Sequence, residues 1–121
     1  MKAVIVNDRE LFDYVLSYLK RFKMRYIDLK YSDNAGKAIK ELCIGRKTEI
    51  VFIKYSRTEK ALIDLVSSAM KIKADLYLIV ETAGQKWSIL EKMKALKRDN
   101  IMILATPFEI ITRIIGKSGS I

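Results

Sequence analysis

The chain has 121 residues, enough for one hydrophobic core, and with 50% apolar and 31% charged residues it is neither disordered nor collagen-like. It contains no histidine, which excludes Ser-His-Asp and Cys-His nucleophilic catalysis and most zinc sites, and one cysteine, Cys43, which excludes an internal disulfide and fits a reducing cytoplasm. Lys and Arg total 23 against 14 acids, a formal charge of +9 that points toward a polyanionic partner if the charges cluster.

Lys2–Val6 is a short run of branched apolar residues and predicts a strand buried on both faces. It is too short for a signal peptide, which needs about 7–15 apolar residues, or for a membrane span of about 20. A cytoplasmic protein with no membrane contact is therefore expected. Asn7-Asp8-Arg9-Glu10 has the form of a capping box with Asn7 as N-cap. Leu11, Tyr14, Val15, Tyr18, Leu19 and Phe22 follow at helical spacing, with Lys20, Arg21 and Lys23 at the helix's negative end.

Tyr26–Tyr31 alternates instead, with Ile27, Leu29 and Tyr31 on one side and Asp28 and Lys30 on the other, as in a half-exposed edge strand. Ser32, Asp33 and Asn34 supply a cap for a second helix carrying Ala35, Ala38, Ile39, Leu42 and Cys43, stopped by Gly45. Ile50–Ile53 is a wholly apolar strand. Ser56-Arg57-Thr58-Glu59 caps a third helix with Leu62, Leu65, Val66, Ala69 and Met70. Leu76–Val80 is the next strand, and Ile89, Leu90, Met93 and Leu96 mark the fourth helix. Ile101–Ala105 is the fifth strand. Thr106-Pro107-Phe108-Glu109 opens a short last helix that is expected to stop at Gly116.

Five βα units require a parallel sheet covered on both faces. The alternating second strand belongs at an edge and the apolar runs belong inside, which gives the order 2-1-3-4-5, the flavodoxin-like doubly wound α/β sheet. No G-x-G-x-x-G follows the first strand and no P-loop is present. Open parallel sheets bind ligands at the carboxyl ends of the strands where the winding reverses. The residues delivered there are Asn7 and Asp8 after strand one, Lys54 after strand three, Thr82 after strand four and Thr106 after strand five.

At these positions the chain resembles the receiver domain of two-component signalling, a CheY-like fold, over Met1 to Ile115. Asn7-Asp8 matches the acidic pair that holds magnesium, Thr82-Ala83-Gly84 the Thr/Ser-Ala step, and Thr106-Pro107-Phe108 the Lys-Pro-Phe step. The resemblance implies that Lys54 stands where the phosphorylated Asp would be, Thr106 where the active-site Lys would be, and Asn7 in place of one metal-binding acid. A lysine cannot form an aspartyl phosphate, and one carboxylate beside an ammonium is a poor magnesium site. The expectation is a pseudo-receiver without phosphotransfer or other enzymatic activity, taking no metal and no cofactor. Lys54 has two readings: an ion pair with Asp8, worth about 4 kcal/mol at ~4 Å and an effective dielectric of ~20 before desolvation, or a solvated lysine beside a helix cap.

Ile114-Ile115-Gly116-Lys117-Ser118 is similar to the segment that opens the AAA+ domain of sigma-54-dependent activators of the NtrC family, some of which, as in the FleQ/FlrC flagellar regulators, carry degenerate receivers. That likeness implies a regulatory domain over residues 1–115, with 116–121 beginning an AAA+ domain; the other reading is a helix C-cap followed by a polar tail. The implied partners are the chain's own AAA+ domain or a partner regulatory protein, and a second copy in a homodimer. In receivers the fourth helix, fifth strand and fifth helix form the usual contact face, which would place Trp87, Ile101 and Phe108 there. Trp87 as ordinary half-buried packing is the alternative.

Many basic residues fall near predicted helix ends, at Lys20, Arg21, Lys23 and Arg25, at Arg46 and Lys47, at Lys71 and Lys73, and at Lys97 and Arg98. They complement helix dipoles, or form a basic floor opposite the ligand crevice. No recognition-helix pattern or RNA-type aromatic platform supports sequence-specific reading, so DNA contact by this domain is not expected. The leading expectation is a phosphorylation-independent regulatory module. A stand-alone basic protein binding nucleic acid non-specifically comes second, and an enzyme using Asp8 and Lys54 as an acid–base pair comes last.

Overall fold

The computed structural model describes residues 1–34, 37–38, 48–55, 63, 66–67, 74–94 and 96–118. Five strands form one parallel sheet: β1 (Lys2–Val6), β2 (Asp28–Ser32), β3 (Thr48–Lys54), β4 (Asp75–Val80) and β5 (Ile101–Ile103). Their order is β2-β1-β3-β4-β5, so the sheet is flavodoxin-like as the sequence predicts. The described helices are α1 (Arg9–Arg21), α2 (Ala83–Lys92) and α3 (Pro107–Ser118). Apart from Ala38 and Val66, both buried, the apolar positions of the second and third predicted helices lie outside the described residues, as do Gly45, the Ser56–Glu59 cap and the basic residues Arg46, Lys47, Lys71 and Lys73.

Period-two geometry sorts the apolar strands onto two cores. Ala3, Ile5, Ile50, Phe52, Ile79 and Met102 face α1 and α3, meeting Val15, Leu19, Ile110 and Ile114. Val4, Val6, Val51, Ile53, Leu78 and Ile101 point the other way, toward Ile89 of α2 and toward Val66 and Leu96. Strands with apolar side chains on both faces must lie between two layers. β2 keeps its polar face because it is an edge: Asp28 and Lys30 are exposed and pair at 3.5 Å, while Leu29 and Ser32 are buried.

Strand β2 starts two residues later than the alternation predicts, because α1 ends in a Schellman-type turn. The Lys23 N–H donates to Lys20 O (3.1 Å) and the Met24 N–H to Leu19 O (2.9 Å), which commits the chain through Ile27 to the return. Strand β5 stops at Ile103, short of the predicted Ala105. Leu104 has φ 48°, a left-handed conformation that breaks the strand.

The last helix passes through Gly116 to Ser118, so Gly116 does not stop it; instead Lys117 pairs with Asp75 at 3.1 Å, tying the helix end to the start of β4. A Cβ at Gly116 would meet nothing within 4 Å. Gly116→Ala is therefore expected to stabilise the fold by about 0.5–1 kcal/mol, read as a raised thermal midpoint.

Tyr31 sits half-buried on β2 with its ring 5.4 Å from that of Phe12 and the Arg9 guanidinium 5.2 Å away. Burial raises its phenol above the ordinary tyrosine pKa, Asp33 adds to the rise, and Arg9 opposes it. The folded state then holds this proton more tightly than the unfolded one. Its contribution to stability is complete below about pH 10 and lost as pH climbs through the raised folded value. Denaturant titrations across that range are expected to show this loss, and Tyr31→Phe to flatten it.

Candidate functional site

The first turn of the site is set by Asn7. It has φ 65°, a conformation asparagine tolerates better than most residues, and its N–H donates to Ser32 O at 2.9 Å, closing the β1–β2 ladder. With Asn7 committed to the turn, the cap falls one residue later than the sequence predicts. Asp8 is the N-cap, its Oδ1 accepting from the Leu11 N–H at 3.0 Å, and the Asn7–Glu10 box does not form.

The other carboxylate oxygen, Asp8 Oδ2, lies 3.9 Å from Nζ of Lys54, the last residue of β3. Both readings of this pair therefore hold at once: Asp8 caps α1 and pairs with Lys54. The expected strength needs correction. The Lys54 side chain is 43% exposed and that of Asp8 23%. Solvent screening reduces such a pair to about 0–1 kcal/mol, far below the unscreened value and too little to lock the crevice by itself.

The pair opens into a shallow cleft of about 290 Å³ lined by Asp8, Lys54, Ile79, Val80, Glu81, Leu104 and Ala105. Its geometry follows from the sheet: Lys54 stands beside Ile79 in the β3–β4 register, and the Leu104 N–H donates to Val80 O at 2.8 Å. Thr82 and Thr106 do not line this cleft. Thr82 Oγ1 caps α2 by accepting from the Gln85 N–H (3.2 Å), and Thr106 Oγ1 caps α3 by accepting from the Glu109 N–H (3.2 Å). The Glu109 side chain returns a bond to the Thr106 N–H at 3.3 Å, the capping box predicted there.

Sequence reasoning missed five lining residues, Ile79, Val80, Glu81, Leu104 and Ala105. Glu81 immediately follows an apolar strand, a position that could have flagged it. Leu104 gave no signal, since nothing in an unbroken apolar run marks a left-handed leucine.

Ile101 is 3% exposed and belongs to the core, so it is not part of a contact face; as a residue of β5 paired to β4 it points inward. The exposed apolar side chains of this edge are instead Ile103, Leu104 (67%) and Phe108 (71%), with Trp87 on the neighbouring α2. Trp87 is exposed, its ring 5.1 Å from the Arg98 guanidinium.

Chemically, the crevice offers one carboxylate with both oxygens engaged, one ammonium, and Glu81 at the rim. Among the described residues no group of three or more His, Cys, Asp or Glu side chains could hold a metal ion, and no helix is long and apolar enough to cross a membrane. No protein-family model and no curated protein matches the sequence. The chain is similar in fold to a de novo designed Rossmann 2x3 protein solved by solution NMR, with a TM-score of 0.66 and 11% identity over 98% of this chain and 89% of that one.

Proposed function

We propose that this chain is a receiver-like regulatory domain that acts without phosphorylation, by protein–protein contact, in cytoplasmic control of a sigma-54-dependent transcription activator. The observation that carries this reading is the Lys54 ammonium at the carboxyl end of the middle strand, 3.9 Å from Asp8. A phosphoryl acceptor at that place would have to be a carboxylate, and a lysine there offers a cation instead. Asn7 is neutral and its backbone holds the left-handed turn at φ 65°, which supports a crevice that takes no magnesium. The module has no catalytic turnover and needs no cofactor. Its output is contact with its own AAA+ domain or a partner regulatory protein, and with a second copy, through the exposed side chains of Trp87, Ile103, Leu104 and Phe108.

Incubation with acetyl phosphate and magnesium, followed by intact-mass analysis, is expected to leave the protein unmodified. A stoichiometric phosphoryl adduct would overturn the proposal.

A further inference from the structure

The end of the molecule opposite the cleft, where α1 finishes and the chain returns to β2, combines exposed cations with exposed rings. Lys20 and Arg21 lie in the last turn of α1, and Lys23 and Arg25 just beyond it. All four are exposed, and none has a carboxylate within ion-pair distance among the described residues. The helix dipole accounts for Lys20 and Arg21, but its effect fades outside the last turn and does not reach Arg25.

Lys23 is the more telling residue. It occupies the left-handed position of the Schellman turn at φ 54°, where the backbone favours glycine. A local preference is overridden there by a side chain whose one distinctive property is its charge, a pattern characteristic of functional positions.

The rings supply the second observation. Tyr14, Tyr18 and Phe22 recur every four residues along α1 and its C-cap, on the flank beside the buried Leu11, Val15 and Leu19; Tyr14 and Phe22 are exposed and Tyr18 is half-buried against the core. The Tyr18 and Phe22 centroids are 4.5 Å apart, and the Arg21 guanidinium lies 5.9 Å from the Phe22 ring. Tyr26 is exposed in the loop that follows. Arg21 shares a depression of about 390 Å³ with Tyr14, Ser17, Tyr18 and Asp13, and the Asp13 carboxylate is engaged by Arg9 at 3.2 Å. Lys20, Lys23 and Arg25 rim a second depression of about 430 Å³.

We infer that this surface binds single-stranded nucleic acid without sequence preference, phosphates running along the cations and bases stacking on Phe22 and Tyr26. Flat rings interleaved with cations are how proteins hold unpaired strands, because every base has a π-face. An acidic polypeptide would need the charges but not the rings. An anionic membrane would need a continuous apolar face for insertion, and here the exposed rings of Tyr14, Phe22 and Tyr26 are interrupted by the exposed Asp13, Ser17, Arg21 and Arg25. The site is independent of the Asp8–Lys54 crevice and stands or falls separately from it. It needs no recognition helix, so the lack of one in the sequence does not oppose it.

The test is fluorescence anisotropy of a labelled oligothymidylate titrated with the full chain. Saturable binding is expected at low salt, with log K falling against log salt at a slope of about −3 if four phosphates are neutralised, at about −0.7 each. Phe22→Ala and Tyr26→Ala are each expected to weaken binding by about fivefold or more, since a stacked base contributes that much. Lys23→Gly should weaken binding while leaving the thermal midpoint unchanged or higher, which separates loss of contact from loss of fold. The inference is overturned by absence of binding at low salt, or by equal weakening in a Lys94→Ala/Lys97→Ala control. Duplex DNA, polyglutamate or phosphatidylglycerol vesicles binding as tightly as the oligothymidylate would overturn it too.

Discussion

Replacing Phe52 with alanine is expected to remove about 3–5 kcal/mol of folding stability. Phe52 is fully buried at the centre of the middle strand, between Ile5 of β1 and Tyr77 of β4 in the sheet register. Its ring stacks on Tyr77 at 5.4 Å with planes 18° apart, and the Arg113 guanidinium lies 4.6 Å from the Tyr77 ring. Ile110 and Ile114 of α3 belong to the same core. Truncation loses the transfer free energy of the ring and leaves a cavity that a sheet paired on both sides cannot close. Domains of this size are stable by about 5–15 kcal/mol, so a large fraction would go in one step. Urea unfolding followed by circular dichroism should show a lower midpoint at an unchanged slope. A loss below about 1 kcal/mol would mean that Phe52 is not in the core.

Asp8→Ala is expected to cost about 1–2 kcal/mol, and comparison with two further variants separates its roles. Asparagine keeps an oxygen for the Leu11 N–H and discards the charge facing Lys54, so Asp8→Asn should cost less than about 1 kcal/mol. Lys54→Ala removes the ammonium and leaves the cap, and should cost about the same small amount. Asn and Ala variants of equal cost would mean that the cap contributes nothing. A Lys54→Ala loss of several kcal/mol would mean that the ion pair is far less screened than its exposure indicates.

Much of the fold was legible because apolar pattern and burial coincide. Lys2–Val6 is unbroken and lies between two strands, and the alternation of Leu29 with Asp28 and Lys30 marks an edge. The order of the sheet follows from that one contrast. Boundaries were less legible where two local rules compete. Asn7 and Asp8 are both good caps, and the choice was made by the left-handed turn that Asn7 tolerates better. Gly116 reads as a stop, yet the helix continues and Lys117 reaches Asp75.

The crevice was legible only in part. Topology places Asp8 and Lys54 together, since strands one and three are neighbours at the reversal of winding. Their exposure, which sets the strength of the pair, depends on the shape of surrounding loops and is invisible in sequence. The same limit applies to the β5 edge. Ile101 and Leu104 belong to one apolar run, yet Ile101 is buried while Leu104, left-handed at φ 48°, is exposed.

The proposed regulatory role rests on a cation standing where an acceptor carboxylate would be needed. The most direct test is the ¹H–¹⁵N correlation spectrum of the labelled protein, recorded with and without beryllofluoride and magnesium. Unchanged resonances at Asp8, Lys54, Thr82 and Leu104 are predicted, because Lys54 stands at the acceptor position and the Asp8 carboxylate is engaged by the Leu11 N–H and the Lys54 ammonium. Saturable shifts at those residues that need both magnesium and beryllofluoride would contradict it.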